Sequence, residues 1–432
     1  MDQNNYRNPA QTNDLGMSPS WIKYGAIGTA PVGLYIHRLL PMAILYFFFN
    51  STGLPLGLFY TAMLSPFFYL WLYLEGKRWL TLKFVVCLLP FVAMQVHNGL
   101  DSSFYYVRSI LLLWTVYVTV YAFCWALLKC KNIERLFEQL IILNFCAAML
   151  ALPFLFTPLK EVLWSLDFRD LGGGGGWAPR LMLLTSEPSV YGQLMAPLLI
   201  FTVLRLLRSP GRRNFLYAAL ITIPLLLSQS FGALSICTAT LGVVLFPRFR
   251  RLLRRPSSLL ILGLGVLLVA SILFVPNPIA RRTAQIVNGT DSSIHSRTTN
   301  AYILAYAIAE SKSLWWGAGP GQAKLYGKHR LLLSLGFPTS VLPDSNADTF
   351  ADMGIIGLLV KFILEIYLFF RTRVYTNTFR LAMFMVPFIY QFTGGYLTNV
   401  QEYLMWCFSF APFFPWLNLQ SRVPAPVRLA VD

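Results

Sequence analysis

An all-α, polytopic integral membrane protein is the fold class this sequence predicts, and three observations predict it. Mean hydropathy is +0.57 and 56% of the residues are hydrophobic. Only 12% are charged, against about 25% in a soluble chain. Apolar runs of the length that crosses a bilayer, about 20 residues, recur along most of the 432 residues. A soluble fold of this size has no means of hiding so much apolar surface.

The first twenty residues are polar and lack an apolar core, so no cleavable signal peptide is expected. Residues 1–24 read as a disordered tail, 25–420 as a single transmembrane domain, and 421–432 as a second tail. Spans are expected near 31–50, 53–74, 80–98, 109–129, 136–157, 188–206, 214–229, 231–247, 257–275, 353–371, 380–398 and 402–418. That makes about twelve. The pair within 214–247 is short for two full spans and reads as a broken or re-entrant element.

Lys77, Arg78, Lys129, Lys131, Arg135, Arg205, Arg208, Arg212, Arg213, the Arg248–Arg255 run, Arg371, Arg373 and Arg380 all fall in connections of one side. The alternate short loops hold only Arg108. The positive-inside rule places the basic side in the cytoplasm, and both termini with it. The net charge of +17 is therefore read as topology and lipid contact. No nucleic-acid-binding motif accompanies it, and no nucleic-acid partner is expected. The six cysteines show no CxxC spacing, which points to neither a metal site nor a disulfide framework.

Two long segments face the other side, 158–187 and 276–352. The first contains Gly172–Gly176, a flexible hinge by composition. The second contains a helical stretch, Asn300–Lys312, closed by the turn Gly317–Gly321. Its basic residues Arg281, Arg282, Arg297, Lys324, Lys328, His329 and Arg330, with Lys160, Arg169 and Arg180 of the first segment, form a candidate cationic pocket for an anionic group such as a pyrophosphate. Arginine binds phosphate through a planar two-pronged fork. The competing reading is a basic loop lying on lipid phosphates.

Candidate proton acceptors are Asp344, Glu187 and His295. Glu187 opens an apolar run as S-E-P-S, so its alternative role is at a helix start, with Ser186 as cap and Pro188 in the first turn. Asp344, Asp348 and Asp352 follow at four-residue steps and would share a helix face. Capping the 353–371 span is the alternative role for Asp344. The acidic cluster raises a divalent metal, but no DxD is present and no metal site is assigned. The Gly-Ala-Gly-Pro-Gly turn lacks the Lys-Ser/Thr of a phosphate loop. Trp21, Trp79, Trp164, Trp177, Trp315 and Trp316 fit an interfacial belt.

Three segments together resemble the Wzy polymerase and O-antigen ligase superfamily. Ser296-Arg297 followed by the Gly317–Gly321 turn resembles its S-R…G-x-G-x-G signature. Asp344-Ser345-Asn346 followed by Asp352-Met353-Gly354-Ile355-Ile356-Gly357 resembles its loop-to-span segment, and Arg180 with Glu187-Pro188-Ser189…Gly192 its R…E-P-x…G stretch. Ligases of the family carry a His before that Asn, where this chain has Ser345. The stretch Ser228–Gly232 lacks an Arg that many members carry. Both departures favour polymerase over ligase.

The resemblance implies a GT-C-like glycosyltransferase in the bacterial inner membrane with a large periplasmic loop. It would move a growing glycan from undecaprenyl diphosphate to a sugar hydroxyl of an incoming lipid-linked repeat. That reaction is metal-independent and inverting, with no cofactor. The partners implied are the lipid-linked glycan, membrane lipids and a chain-length regulator of the Wzz type. Two alternatives remain open at this point. One is an O-antigen ligase acting on lipid A core. The other is a transporter of lipid-linked oligosaccharide, for which inverted repeats and broken helices are the expected signs.

Overall fold

The computed structural model describes residues 60–130, 132–158, 160–165, 179–248, 297–323, 344–395 and 400–417, with a few isolated residues besides. The expected spans at 31–50 and 257–275 lie outside the described residues, as do His295, Arg281, Arg282, Lys328 and Arg330. Among the described residues the protein is α-helical apart from two antiparallel pairs of two-residue strands. Besides the single turn Lys160–Leu163, the α-helices are α1 (Tyr60–Leu74), α2 (Leu80–His97), α3 (Ser103–Lys129), α4 (Ile133–Ala151), α5 (Pro188–Arg208), α6 (Arg212–Ser228), α7 (Phe231–Leu245), α8 (Thr299–Glu310), α9 (Ser345–Arg371), α10 (Thr378–Tyr390) and α11 (Val400–Phe410).

Among the described residues α2, α3, α9, α5, and α4 with its 3-10 extension to Phe156 are long and apolar enough to cross a membrane. α1, α7 and α10 are shorter apolar helices. Local signals set the boundaries. Asn132 and Asn377 accept the backbone N–H groups of Arg135 and Arg380 and so start α4 and α10. Ser102 does the same for α3 through Tyr105. The pair within 214–247 is two helices, separated by Gln229 in the left-handed region at φ 47°.

α5 is almost wholly enclosed by its neighbours, whereas α2 turns most of its surface outward. The core centres on Phe137 of α4. Its ring meets Phe201 of α5 at 5.2 Å, Phe408 of α11 at 5.6 Å and Phe414 at 5.5 Å, all edge-on. Edge-on aromatic contacts of this kind add about 0.5–1.5 kcal/mol each beyond area burial. The outer face of α9 shows Val360, Ile363, Leu364, Tyr367 and Phe370 to the surroundings. A surface so apolar suits lipid. Trp79 and Trp315 are exposed as the belt reading requires, but Trp164 is not. It is buried, and its indole N–H donates to the Ala151 carbonyl at 2.8 Å, so it closes the end of α4.

The two ends of the bundle differ in chemistry. One end holds Lys129 paired with Glu75, and Arg205 bridging Glu138 (2.6 Å) and Glu134 (3.4 Å), with Arg213 also on Glu138 (3.0 Å). Arg380 there caps the last carbonyls of α9 and α11, donating to Thr372, Ser409 and Phe410. Part of the basic set read as topology is thus tied into the bundle. The other end gathers the α2–α3 turn, the segment before α5, the α6–α7 turn, and the starts of α8, α9 and α11.

Candidate functional site

The site end is organised by a break in α9. Gly354 sits at φ 68°, ψ −168°, conformations closed to other residues without strain. Breaking a helix frees backbone groups that must find partners. Here the turn Leu314–Gly319 supplies them. Ala318 and Gly319 donate to the carbonyls of Ala351 and Asp352 at 2.8 and 3.0 Å. Ile355 and Ile356 donate to the carbonyls of Leu314 and Trp315 at 2.9 and 3.1 Å. The Gly-Ala-Gly-Pro-Gly turn and the Met-Gly-Ile-Ile-Gly stretch are therefore two halves of one backbone clasp. The turn's amides at Ala318 and Gly319 are taken by α9.

Gln95 of α2 locks this clasp. Its amide nitrogen donates to the Trp316 carbonyl at 2.9 Å and the Asp352 carbonyl at 2.8 Å, while its oxygen accepts from the Tyr106 hydroxyl at 2.8 Å. Gln322 holds the neighbouring turn, accepting from the amides of Asp101 and Ser102 and donating to the Ser102 carbonyl. Lys312 pairs with Asp101 at 2.6 Å.

Beyond the break, α9 folds back on itself. The Lys361 ammonium lies 3.0 Å from both Ser345 Oγ and Asn346 Oδ1. On a straight helix sixteen residues span about 24 Å, so only the break brings them together. Lys361 also pairs with Glu402 of α11 at 3.1 Å. One turn along, the Gln391 amide donates to buried Glu365 at 3.2 Å. Sequence reading passed over Lys361, Glu365 and Glu402. The available signal was an ionisable residue inside an apolar run, which is costly unless paired or functional.

Asp344 is the N-cap of α9. Its Oδ1 accepts from the amides of Asn346 and Ala347, each at 2.9 Å, and from the Tyr302 hydroxyl at 3.4 Å. It is fully buried, and among the described residues its Oδ2 has no hydrogen-bond partner. Burial pushes its carboxyl up to about 7, against the two backbone amides and the positive charge of Lys361, which pull it down. The same burial, together with the Asp344 charge, pushes the Tyr302 phenol up. The three aspartates lie on the same stretch of α9 before the break but take different partners. Asp348 turns to the Leu397 amide (3.0 Å), and Asp352 sits at the break, its backbone carbonyl held by Gly319 and Gln95.

Arg297 and Glu187 meet. Arg297 lies immediately before α8, and its guanidinium is 3.9 Å from the Glu187 carboxylate. Glu187, rather than Ser186, occupies the N-cap of α5 in an extended conformation, with no side-chain cap bond and Pro188 in the first turn. Its side chain is 52% exposed and accepts from Ser189 Oγ at 2.9 Å.

Arg180 lies across the same corner. Its guanidinium donates to the carbonyls of Ser228 (3.3 Å) and Gln229 (3.4 Å), so it caps the C-terminus of α6. Gly192, one turn into α5, permits the approach of the α6–α7 turn: a Cβ there would fall 2.6 Å from Ser230. Gln401 of α11 donates to the Val190 carbonyl at 3.4 Å and closes the corner from the other side.

The described structure thus brings Arg180, Glu187 and Arg297 to one corner, and links Asp344 to it through Tyr302 on α8. Among the described residues no three of His, Cys, Asp and Glu come together as a metal site would require. No protein-family model and no curated protein matches the chain.

Proposed function

We propose that this protein is a membrane-embedded glycosyltransferase that polymerises lipid-linked polysaccharide repeat units, with its chemistry at the end of the bundle opposite the arginine-rich one. The observation that carries the reading is the Arg297–Glu187 pair, half exposed and only loosely held at 3.9 Å; Arg180, held on the α6–α7 turn, supplies a second guanidinium at this end of the bundle. An arginine whose carboxylate partner is exposed gains little from it, and a diphosphate competes well for the same fork.

In this mechanism the donor diphosphate takes Arg297 and displaces Glu187. The freed carboxylate is then open to the acceptor. It accepts the proton of the acceptor sugar hydroxyl while that oxygen attacks the donor's anomeric carbon. The carbon–oxygen bond to the diphosphate breaks, and polyprenyl diphosphate leaves with the bonding electrons, its charge held by the arginines. A single displacement of this kind inverts the anomeric centre. Of the described candidate bases Glu187 is the accessible one, since Asp344 is enclosed and caps α9.

A second reading, transport of a lipid-linked sugar, is favoured by the broken helix with its buried ion pair, the kind of element that transporters use. One experiment separates the readings. Purified protein is given a synthetic polyprenyl-diphosphate repeat unit alone, and the products are run on a gel. A ladder that Arg297→Ala abolishes supports the polymerase. Product only when lipid A core is added supports ligation. No product in either case, with movement of the lipid-linked sugar across proteoliposomes, supports transport and ends the glycosyltransferase reading.

A further inference from the structure

We propose that Lys361 is a positioning residue, which ties the folded-back start of α9 to Glu402 of α11 and thereby sets the mouth of the site. Three oxygens converge on its ammonium: Ser345 Oγ and Asn346 Oδ1 at 3.0 Å each, and Glu402 Oε1 at 3.1 Å. All three partner residues are buried, at 1%, 1% and 3% exposure. The start of α9 is further fixed to the end of α10, since Ser345 donates to the Gly394 carbonyl and Asn346 to the Gln391 carbonyl, each at 3.2 Å. It is fixed to α8 through Tyr302 and Asp344, and α8 begins two residues after Arg297. A chain of direct contacts therefore runs from Lys361 to the helix that carries Arg297.

Stability alone does not account for this lysine. Desolvating an ammonium and a carboxylate costs several kcal/mol for each ion, and well-packed apolar residues in the same place are often as stable or more so. What the pair adds is geometry. The first turns of α9 have no continuous helix behind them, because Gly354 interrupts it. Two directional hydrogen bonds and an ion pair from the second half of the same helix fix their placement in a way that apolar packing does not. The consequence for catalysis rests on the glycosyltransferase reading above; the tie itself does not.

The test uses the full chain in detergent with Lys361→Met, Lys361→Arg, Glu402→Gln and the double variant Lys361→Met/Glu402→Met. Melting temperature and ladder-forming rate are both measured. Lys361→Met and Glu402→Gln should each lower the melting temperature, and the double variant should recover part of that loss, because neither member of the pair is left without the other. The rate behaves differently. Lys361→Met should lower kcat about tenfold or more, with KM for the lipid-linked repeat within about twofold. Lys361→Arg should regain part of it, and the double variant should stay slow despite the stability it recovers. A double variant that regains the wild-type rate with its stability makes Lys361 merely structural and overturns the proposal, as does a Lys361→Met protein with wild-type kcat. If the wild type itself forms no ladder, the glycosyltransferase reading fails separately. The melting temperatures then still judge the tie, and strictly additive losses from the single variants break it.

Discussion

Gly317 and Gly354 hold their backbones in reciprocal contact. A Cβ added to Gly317 would lie 2.6 Å from the amide nitrogen of Gly354, and one added to Gly354 would lie 2.6 Å from that of Gly317. Both residues have positive φ, 74° and 68°. The two glycine-rich stretches of the sequence are thus explained by each other: each lacks side chains at the crossing because the other passes there.

Gly317→Ala and Gly354→Ala should each cost more than about 4 kcal/mol, the range reached when backbone strain and a hard clash coincide. Gly76 is the control. It has φ 80° with nothing within 4 Å of an added Cβ, so Gly76→Ala should cost only the left-handed strain, about 1–2 kcal/mol. Melting temperatures in detergent check the contrast. Equal losses at Gly76 and Gly354 would mean that the crossing is not tightly packed.

The Gln95 amide is the second lock. Tyr106→Phe leaves the buried Gln95 oxygen without its donor and should cost about 1–3 kcal/mol. Gln95→Leu should cost more, because the Trp316 carbonyl loses its donor and the Asp352 carbonyl loses one of two. The double variant should fall short of the sum, since both changes act on one network. Additive losses in the same melting assay would separate the two residues.

The two site arginines should fail differently. Arg297 faces an exposed carboxylate, so Arg297→Ala should abolish ladder formation with the melting temperature nearly unchanged. Arg180 also caps α6 through Ser228 and Gln229. Arg180→Ala should therefore lose activity and about 1 kcal/mol or more of stability together. Lysine at 297 should restore little, since it offers a point charge in place of the fork. Ladder assays run beside melting curves decide the matter, and an unchanged melting temperature in Arg180→Ala would remove the capping role.

Much of this architecture is legible in the sequence, for reasons that also mark the limit. α2 to α5 follow from apolar runs bounded by asparagine, serine and proline, all local signals. The N-capping role of Asp344 and the turn at Gly317–Gly321 are local too. The Lys361–Ser345 contact is not, because it depends on one glycine changing the direction of a helix, and helical periodicity beyond that point predicts the wrong neighbours. Asp344, Asp348 and Asp352 all lie before the break, and their four-residue spacing does not reveal that each takes a different partner. Glu187 and Arg297 were each readable as candidates. Their meeting across 110 residues required the fold.

Asp344 makes the protein's stability depend on pH in an unusual direction. Its folded value, about 7, lies above the ordinary aspartate value of about 3.9, so the folded state favours the protonated carboxyl. The contribution is complete below about pH 4 and is lost as the pH rises through about 7. Melting temperature should therefore fall by several degrees between about pH 5 and 8. Asp344→Asn keeps an oxygen for the amides of Asn346 and Ala347 and removes this titration, so its melting temperature should fall less over the same range. Tyr302 of α8, its phenol pushed up by burial and by the Asp344 charge, keeps its proton throughout. A wild-type curve that rises with pH, or an asparagine variant that keeps the wild-type slope, would remove Asp344 as the source.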